Sequence, residues 1–421
     1  METALIVVGL LLQWALIPRG LSGDGGHRYE ELTQLLLHGD LSGGKYSLVG
    51  PLFSTPLYLL GEIYRSPQWW LANYNILFFT LGLLAIYLLL KDQVDRGLLR
   101  QFLLLLVAGA FFTPNLSNFY GEVFTVMCVG VGVLAVAFRR SWLGWIPIVL
   151  GVANTPATIV GLGFVVLKQV WAHRRLRYVL VLVATAALVL GENLVRRGNP
   201  LNSGYESGFT YPILFGVLSI LFSFGKGLVF FAPGLLLPIR RRLLATQRPA
   251  DRKLYAAYSL WIAYVAGMVL VYAHWWAWFG GWYWGPRFFL IATLPASLAI
   301  AVRLRDRRAS LVANLATLAA LVLSIYGAAA SATFGLQGLA LCTHGYNYLI
   351  PLCNYTPQYS TLWRVFAVPL PVGKKDLLFF AYGLVALLYL ATPTLRDVAT
   401  QVRGLVVGML TAHGGLRAWR V

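Results

Sequence analysis

Four short stretches of this chain carry residue types that can do chemistry. The first reads Gly23-Asp24-Gly25-Gly26-His27-Arg28-Tyr29-Glu30. Asp24 stands just ahead of a helical pattern. There a carboxylate either caps free backbone donors or serves as a general base or charge stabiliser in a cleft; spacing alone weighs the two equally. The glycines around it permit close approach of a ligand, or simply make a turn. The second stretch is Asn118-Phe119-Tyr120-Gly121-Glu122. Glu122 is either a helix-start acid favoured by the dipole or a second acid facing the same cleft. The third, Ser223-Phe224-Gly225-Lys226-Gly227, places one cation inside a long apolar stretch. An unpaired charge in hydrocarbon costs at least about 2.5 kcal/mol. Lys226 must therefore snorkel to the surface or meet an anion, for which a lipid phosphate qualifies.

The fourth stretch runs from Trp275 to Arg287 and holds five tryptophans, Trp282 among them, around Gly280-Gly281 and Gly285-Pro286-Arg287. Part of it is an aromatic belt at a membrane interface. Aromatic faces also bind sugar C–H surfaces or stack a cation, and an arginine such as Arg287 grips a phosphate with two donors. Elsewhere, His27, His38, His274 and His344 are scattered without metal-ligand spacing and read as surface or core residues. Cys128 falls within an apolar run as a packing residue. Cys342 and Cys353 share one expected outer loop, where an oxidising compartment favours a disulfide and two free thiols are the alternative. Asn115-Leu116-Ser117 and Asn354-Tyr355-Thr356 match the glycosylation sequon, which matters only in a glycosylating host.

The elements that must position these residues are membrane helices. Hydrophobic residues make up 58% of the 421 and charged residues only 12%, about half of what a soluble surface needs. Apolar runs near 70–90, 178–194, 254–272 and 311–330 approach the roughly 20 residues that cross hydrocarbon. They lack the period-2 alternation of a lipid-facing barrel. The expectation is an all-α, polytopic transmembrane bundle of about 11–13 passes, counting partial ones. The first apolar run, 4–17, has no basic flank before it and reads as a retained span. The formal net charge of +19 gathers in clusters near 91–100, 139–140, 168–177, 240–253, 303–308 and from 396 onward. That is the positive-inside pattern, so the charge belongs to topology and not to nucleic-acid binding. Both termini are expected on the cytoplasmic side. Arginine outnumbers lysine, as in GC-rich prokaryotic genomes, and a prokaryotic cell membrane is the expected location.

Within a single membrane domain, 1–421, a first outer loop is expected over 19–67. It carries two interfacial helices, one near 28–38 with Tyr29, Leu32, Leu35 and Leu36 on one face and one near 51–64. The run 142–167 is broken at Asn154-Thr155-Pro156 and flanked by cations at both ends. It reads as a hairpin of partial spans. A last outer loop is expected over 331–375, and a basic cytoplasmic tail over 393–421. No phosphate-binding Gly-rich loop, dinucleotide fingerprint or internal repeat stands out.

With these motifs in hand, the chain resembles the GT-C superfamily of membrane glycosyltransferases, which take sugars from polyprenyl or dolichyl phosphates. The matching points are Gly23-Asp24-Gly25 with Arg28-Tyr29, Glu122, the 193–205 segment with Gly198-Asn199-Pro200 and Gly204-Tyr205, Ser223 to Gly227 with Ala232-Pro233, and Trp282 to Arg287. They occur in the family's order over residues 1–300; the remainder matches in hydropathy. The resemblance implies that Asp24 is the catalytic carboxylate, with Glu122 as a second acid. It also implies a cleft in which Arg28, Tyr29, Tyr205, Lys226, Trp282 and Arg287 contact substrate. Relatives that mannosylate proteins or add aminoarabinose to lipid A carry adjacent Asp-Glu in the first loop. Here Gly25 follows Asp24, and the next acid pair is Glu30-Glu31. The implied partners are a polyprenyl-phosphate-linked sugar, membrane lipids and a glycan, lipid or protein acceptor. No cofactor is fixed, and a divalent metal stays open. The rival class is a transporter or flippase of lipid-linked saccharides. A carrier, however, would concentrate its polar residues near mid-membrane, whereas here they fall at outer span ends.

Overall fold

The computed structural model describes residues 1–41, 43–139, 141–205, 208–246, 248–281, 283–334, 349–369 and 371–417. Among these the chain is helical throughout, with an isolated bridge between Phe209 and Trp275 and no strand. The main helices are α1 (Glu2–Leu16), α2 (Asp24–His38), α3 (Thr55–Ile63), α4 (Tyr74–Leu90), α5 (Arg96–Ala108), α6 (Gly121–Arg139) and α7 (Trp145–Asn154). They continue with α8 (Ile159–His173), α9 (Val179–Arg197), α10 (Ile213–Phe222), α11 (Pro249–Ala273), α12 (Thr293–Leu304), α13 (Leu311–Phe334) and α14 (Lys374–Arg417).

Among the described residues, six helical segments are long and apolar enough to cross a membrane: those at 121–139, 176–197, 249–273, 287–304, 311–334 and 374–407. Apolar helices of 10–17 residues stand beside them. The expected count of about a dozen passes thus mixes six full-length spans with shorter pieces. The reason is local: Asn154-Thr155-Pro156, Ser223 to Gly227 and Pro233 interrupt apolar runs that hydropathy alone would extend.

At the centre stand α6, with 72% of its most apolar window buried, and the 287–304 segment, with 89%. The continuous core joins Phe79, Phe102, Leu104, Val129, Trp261, Tyr264 and Leu294 across α4, α5, α6, α11 and α12. By contrast, only 17% of the α9 window is buried. Leu180, Val183, Leu194 and Val195 turn outward, which suits a helix whose solvent is lipid. The expected hairpin is present. Helix α7 packs on α6 and α8 on α11, and the chain turns at Pro156–Thr158. The two ends meet again where Trp142 stacks on Tyr178 at 5.8 Å. The last helix continues into the expected tail. It runs on through Pro393 to Arg417, because a proline inside a membrane helix is tolerated where neighbours re-satisfy the backbone.

Helices form at both places where the sequence suggests interfacial ones, the first starting at Asp24 and the second at Thr55. Helix α2 is amphipathic. Leu32 is fully buried in a satellite core with Val49, Tyr58, Leu71, Tyr74, Phe119 and Phe124. Cys128 is a free, buried thiol. Of the expected Cys342–Cys353 bridge, Cys353 is buried and Cys342 lies outside the described residues.

Candidate active site

Helix α2 carries two faces. Tyr29, Leu32 and Leu36 face the satellite core. Asp24, Arg28 and Glu31, spaced i, i+4 and i+7, share the other face. Asp24 does not cap its helix: the cap position is Gly23 at φ 49°, and no side chain closes the turn. The Asp24 carboxylate instead reaches across the molecule. Arg287, at the head of the turn Arg287–Ala292, donates Nη2 to its Oδ2 at 2.7 Å. The Tyr46 hydroxyl donates to Oδ1 at 2.5 Å. Glu122, in the first turn of α6, stands 3.5 Å from Arg287 Nε. Two helix N-termini therefore each present a carboxylate, which the dipole favours, and one guanidinium bridges them. The side chains are largely but not fully enclosed: 15% exposed for Arg287 and Glu122, 29% for Asp24.

This arrangement fixes protonation. Burial pushes the Asp24 carboxyl upward, but the Arg287 charge and the hydrogen bonds from Tyr46 and Arg287 outweigh it, so it lies below its ordinary range. Tyr46 is driven the other way by burial and by the hydrogen bond to Asp24. It stays a phenol that donates. The Arg287 guanidinium also lies over the rings of Tyr120 at 5.7 Å, Tyr283 at 5.5 Å and Phe288 at 5.3 Å, contacts that favour a partly desolvated cation.

The surrounding scaffold is hydrogen-bonded. Asn75 donates to the carbonyls of Asn118 at 2.7 Å and Tyr120 at 2.9 Å. Asn118 in turn donates to the Ser22 carbonyl at 2.9 Å, two residues before Asp24. At the α7–α8 turn, Asn154 Oδ1 accepts from Gly50 N at 3.1 Å and Arg28 at 3.3 Å. Its Nδ2 donates to Gly121 O at 2.8 Å and Thr125 Oγ1 at 3.0 Å. Gly121 is required by this crowding: a Cβ there would lie 2.6 Å from Arg28 Nη2 and 2.9 Å from Asn154 Nδ2.

Of the expected site residues, Asp24, Arg28, Glu122 and Arg287 come together. Arg28 is buried, donates to Ser47 O and Asn154 Oδ1 at 3.3 Å, and lies 4.9 Å over the Tyr46 ring. Among the described residues no carboxylate pairs with it within ion-pair distance. Tyr205 approaches from the 193–211 segment, within electrostatic reach of Asp24, Arg28, Glu122 and Arg287. Tyr29 does not join them; it sits on the apolar face against Tyr58 at 6.4 Å. Lys226 is buried and spends its protons on the carbonyls of Tyr283 at 2.5 Å and Gly285 at 2.9 Å. It thereby holds the loop that delivers Arg287. Trp282 lies outside the described residues. Trp278 and Trp284 are core residues, whereas Trp276 is exposed. Glu30 pairs with His27, and Glu31 with Arg196, so the displaced acid pair stays out of the site.

Sequence reasoning missed Lys45 and Tyr46. The Lys45 ammonium rests 5.1 Å over the Tyr46 ring and 5.9 Å over the Tyr205 ring. No carboxylate among the described residues pairs with it. The signal was Gly43-Gly44-Lys45-Tyr46, a cation and a phenol on a pliant segment after an interfacial helix. Among the described residues no group of three or more His, Cys, Asp or Glu gathers as a metal site.

No family model matches the chain, and no curated protein does. Among solved structures it is similar to ArnT from Cupriavidus metallidurans, determined bound to undecaprenyl phosphate. The two share 14% identity at a TM-score of 0.50, over 93% of this chain and 77% of that one. The expected all-α membrane architecture is thus supported: the chain resembles the helical membrane fold of ArnT.

Proposed function

We propose that the chain is a membrane glycosyltransferase. It moves a sugar from a polyprenyl-phosphate donor to a glycan, lipid or protein acceptor on the non-cytoplasmic face. The observation that carries this reading is the Asp24–Arg287–Glu122 bridge, flanked by Lys45 and Arg28, two cations that no carboxylate among the described residues meets within ion-pair distance. Two carboxylates and three cations at the edge of a membrane bundle suit a donor that is a glycosyl phosphate ester.

The donor phosphate rests against Lys45, Arg28 and Arg287, with its isoprenoid chain among the helices. The acceptor oxygen attacks the anomeric carbon as the bond from that carbon to the phosphate oxygen breaks. The acceptor's proton passes to Asp24, and polyprenyl phosphate leaves. Single displacement inverts the anomeric centre. A carboxylate held below its ordinary range is a weak base, so it takes the proton only as the new C–O bond acidifies the hydroxyl. Negative charge grows on the leaving phosphate, where fixed cations are most effective. Lys226 acts at one remove, through the 283–285 carbonyls.

The test is to incubate purified protein with labelled polyprenyl-phosphate sugars. Release of polyprenyl phosphate together with a new glycoside is the expected result. Asp24→Asn keeps an oxygen for Tyr46 but removes the base, and should cost about 10²–10⁴-fold in transfer with the thermal transition retained. Full activity in this variant removes Asp24 from the role. Movement of labelled lipid across liposomes without release would transfer the chain to the carrier class.

A further inference from the structure

We infer that Arg196, at the C-terminal end of α9, is a positioning residue that sets Tyr46, and through it Asp24, by clamping segment 46–48 between α2 and α9. The inference rests on the reading of Asp24 as the base.

The clamp is built from charged groups with very little access to water. The Arg196 side chain is 1% exposed and pairs with Glu31 of α2 at 2.7 Å and Glu192 of α9 at 2.8 Å. Its Nη1 also donates to the Tyr46 carbonyl at 2.5 Å. Glu192 completes the grip, accepting from Ser47 Oγ and from the Leu48 amide, both at 2.7 Å. One residue further on, Arg197 donates to the Gly44 carbonyl. The last turn of α9 therefore holds the backbone on both sides of Lys45 and Tyr46.

Such a device is an expensive way to gain stability, because desolvating three charges consumes much of what their attraction returns. Apolar side chains would fill the space as well. What the charges supply is direction. They fix the carbonyl of Tyr46, the hydroxyl of Ser47 and the amide of Leu48, and so anchor the backbone from which the Tyr46 phenol reaches Asp24. Glu31 and Asp24 lie seven residues apart on one face of that helix, so the same helix anchors the clamp at one point and receives the phenol two turns away. Tyr46 meets Asp24 at 2.5 Å, and a backbone shift approaching about an ångström would take it out of hydrogen-bond range.

The test compares Arg196→Lys, Tyr46→Phe and the double variant in the purified full-length protein with a labelled polyprenyl-phosphate sugar. The groups facing Asp24 are Arg287, Arg28, Tyr46, Tyr205, Glu122 and Tyr120, with Lys45 and His27 beside the Tyr46 ring; neither substitution touches any of them but Tyr46. Arg196→Lys is expected to lower kcat by no more than Tyr46→Phe does, a few-fold at neutral pH and more in mild acid, with KM little changed. It should also move the acid limb of the pH profile upward, the direction of Tyr46→Phe, and to add little in the double variant. Glu192→Gln, which keeps an acceptor for Leu48, should show a smaller shift of the same sign and serves if Arg196→Lys does not fold. A lowered melting temperature with an unmoved pH profile, or fully additive losses, overturns the inference. If Asp24→Asn proves active, the base reading fails on that variant alone, whatever the Arg196 series shows.

Discussion

Asp24 is a carboxylate whose charge is maintained by its neighbours, and one neighbour can be removed without removing charge from the site. Tyr46→Phe deletes a single donor to Oδ1 and leaves the Arg287 contact on Oδ2 in place. Since that hydrogen bond lowers the Asp24 carboxyl, its loss raises it. Asp24 then protonates at a higher pH as the solution is acidified. The acid limb of kcat/KM, which reports the free enzyme, should move upward, with a small effect at neutral pH and a larger one in mild acid. An unmoved limb would show that another group titrates there. At this scale the sequence announced Asp24, Glu122 and Arg287, because a charge at the end of an apolar run is costly and stands out in one dimension. Tyr29 was misleading because adjacency to Arg28 says nothing about faces: one residue along a helix turns the side chain by about 100°, here into the satellite core. Lys226 was read as a phosphate contact because its acceptors are backbone carbonyls some sixty residues away, which no spacing reveals. Arg196 was hidden for the same reason, its partners lying on α2 and in the 44–48 segment.

At the scale of elements, the α7–α8 turn links the hairpin to the site. Asn154 is 1% exposed and ties four backbone or side-chain groups from three other segments: Gly50, Arg28, and Gly121 with Thr125. Asn154→Leu puts a branched apolar side chain in place of the amide and takes the acceptor from the Gly50 N–H, at about 1–3 kcal/mol for a group left buried and unsatisfied, while Arg28 keeps Ser47 O and Thr125 keeps Gly151 O. The variant should lower the melting temperature and reduce transfer together, because Gly121 carries Glu122 and Gly50 follows the Tyr46–Leu48 segment. A melting temperature equal to that of the parent protein would show that water replaces the amide without cost. The break itself was legible, since Asn-Thr-Pro cannot continue a helix. The function of the break was not, because a polar residue at a turn is ordinary until its partners are seen. Helix α14 shows the converse limit: Pro393 read as an end, and the chain passes through it.

At the scale of the whole molecule, the proposal requires Asp24, Glu122 and Arg287 to share one side of the membrane, while the basic clusters at 240–253 and 303–308 share the other. The bundle gives this a physical basis. Helices such as α6 and α11 are long and apolar enough to cross a membrane, and on the proposed topology the α7–α8 hairpin returns the chain to the side it left, so the order of crossings would set which ends meet. Hydropathy and charge together give an expected sidedness, but not which span ends touch. Sidedness is measurable with single cysteines in a background whose Cys342 and Cys353 are serine, since Cys128 is buried. Glu30, 69% exposed, lies six residues from Asp24 on α2, and Arg307, 65% exposed, lies in the basic cluster after α12. Glu30→Cys should react with a membrane-impermeant maleimide in intact cells, and Arg307→Cys only after permeabilisation. Reaction of both from the same side would break the requirement that the site and the basic clusters lie on opposite faces of the membrane. Opposite reactivity, with Arg307 outside, would put the site in the cytosol, where nucleotide sugars are at hand and a lipid carrier has no purpose.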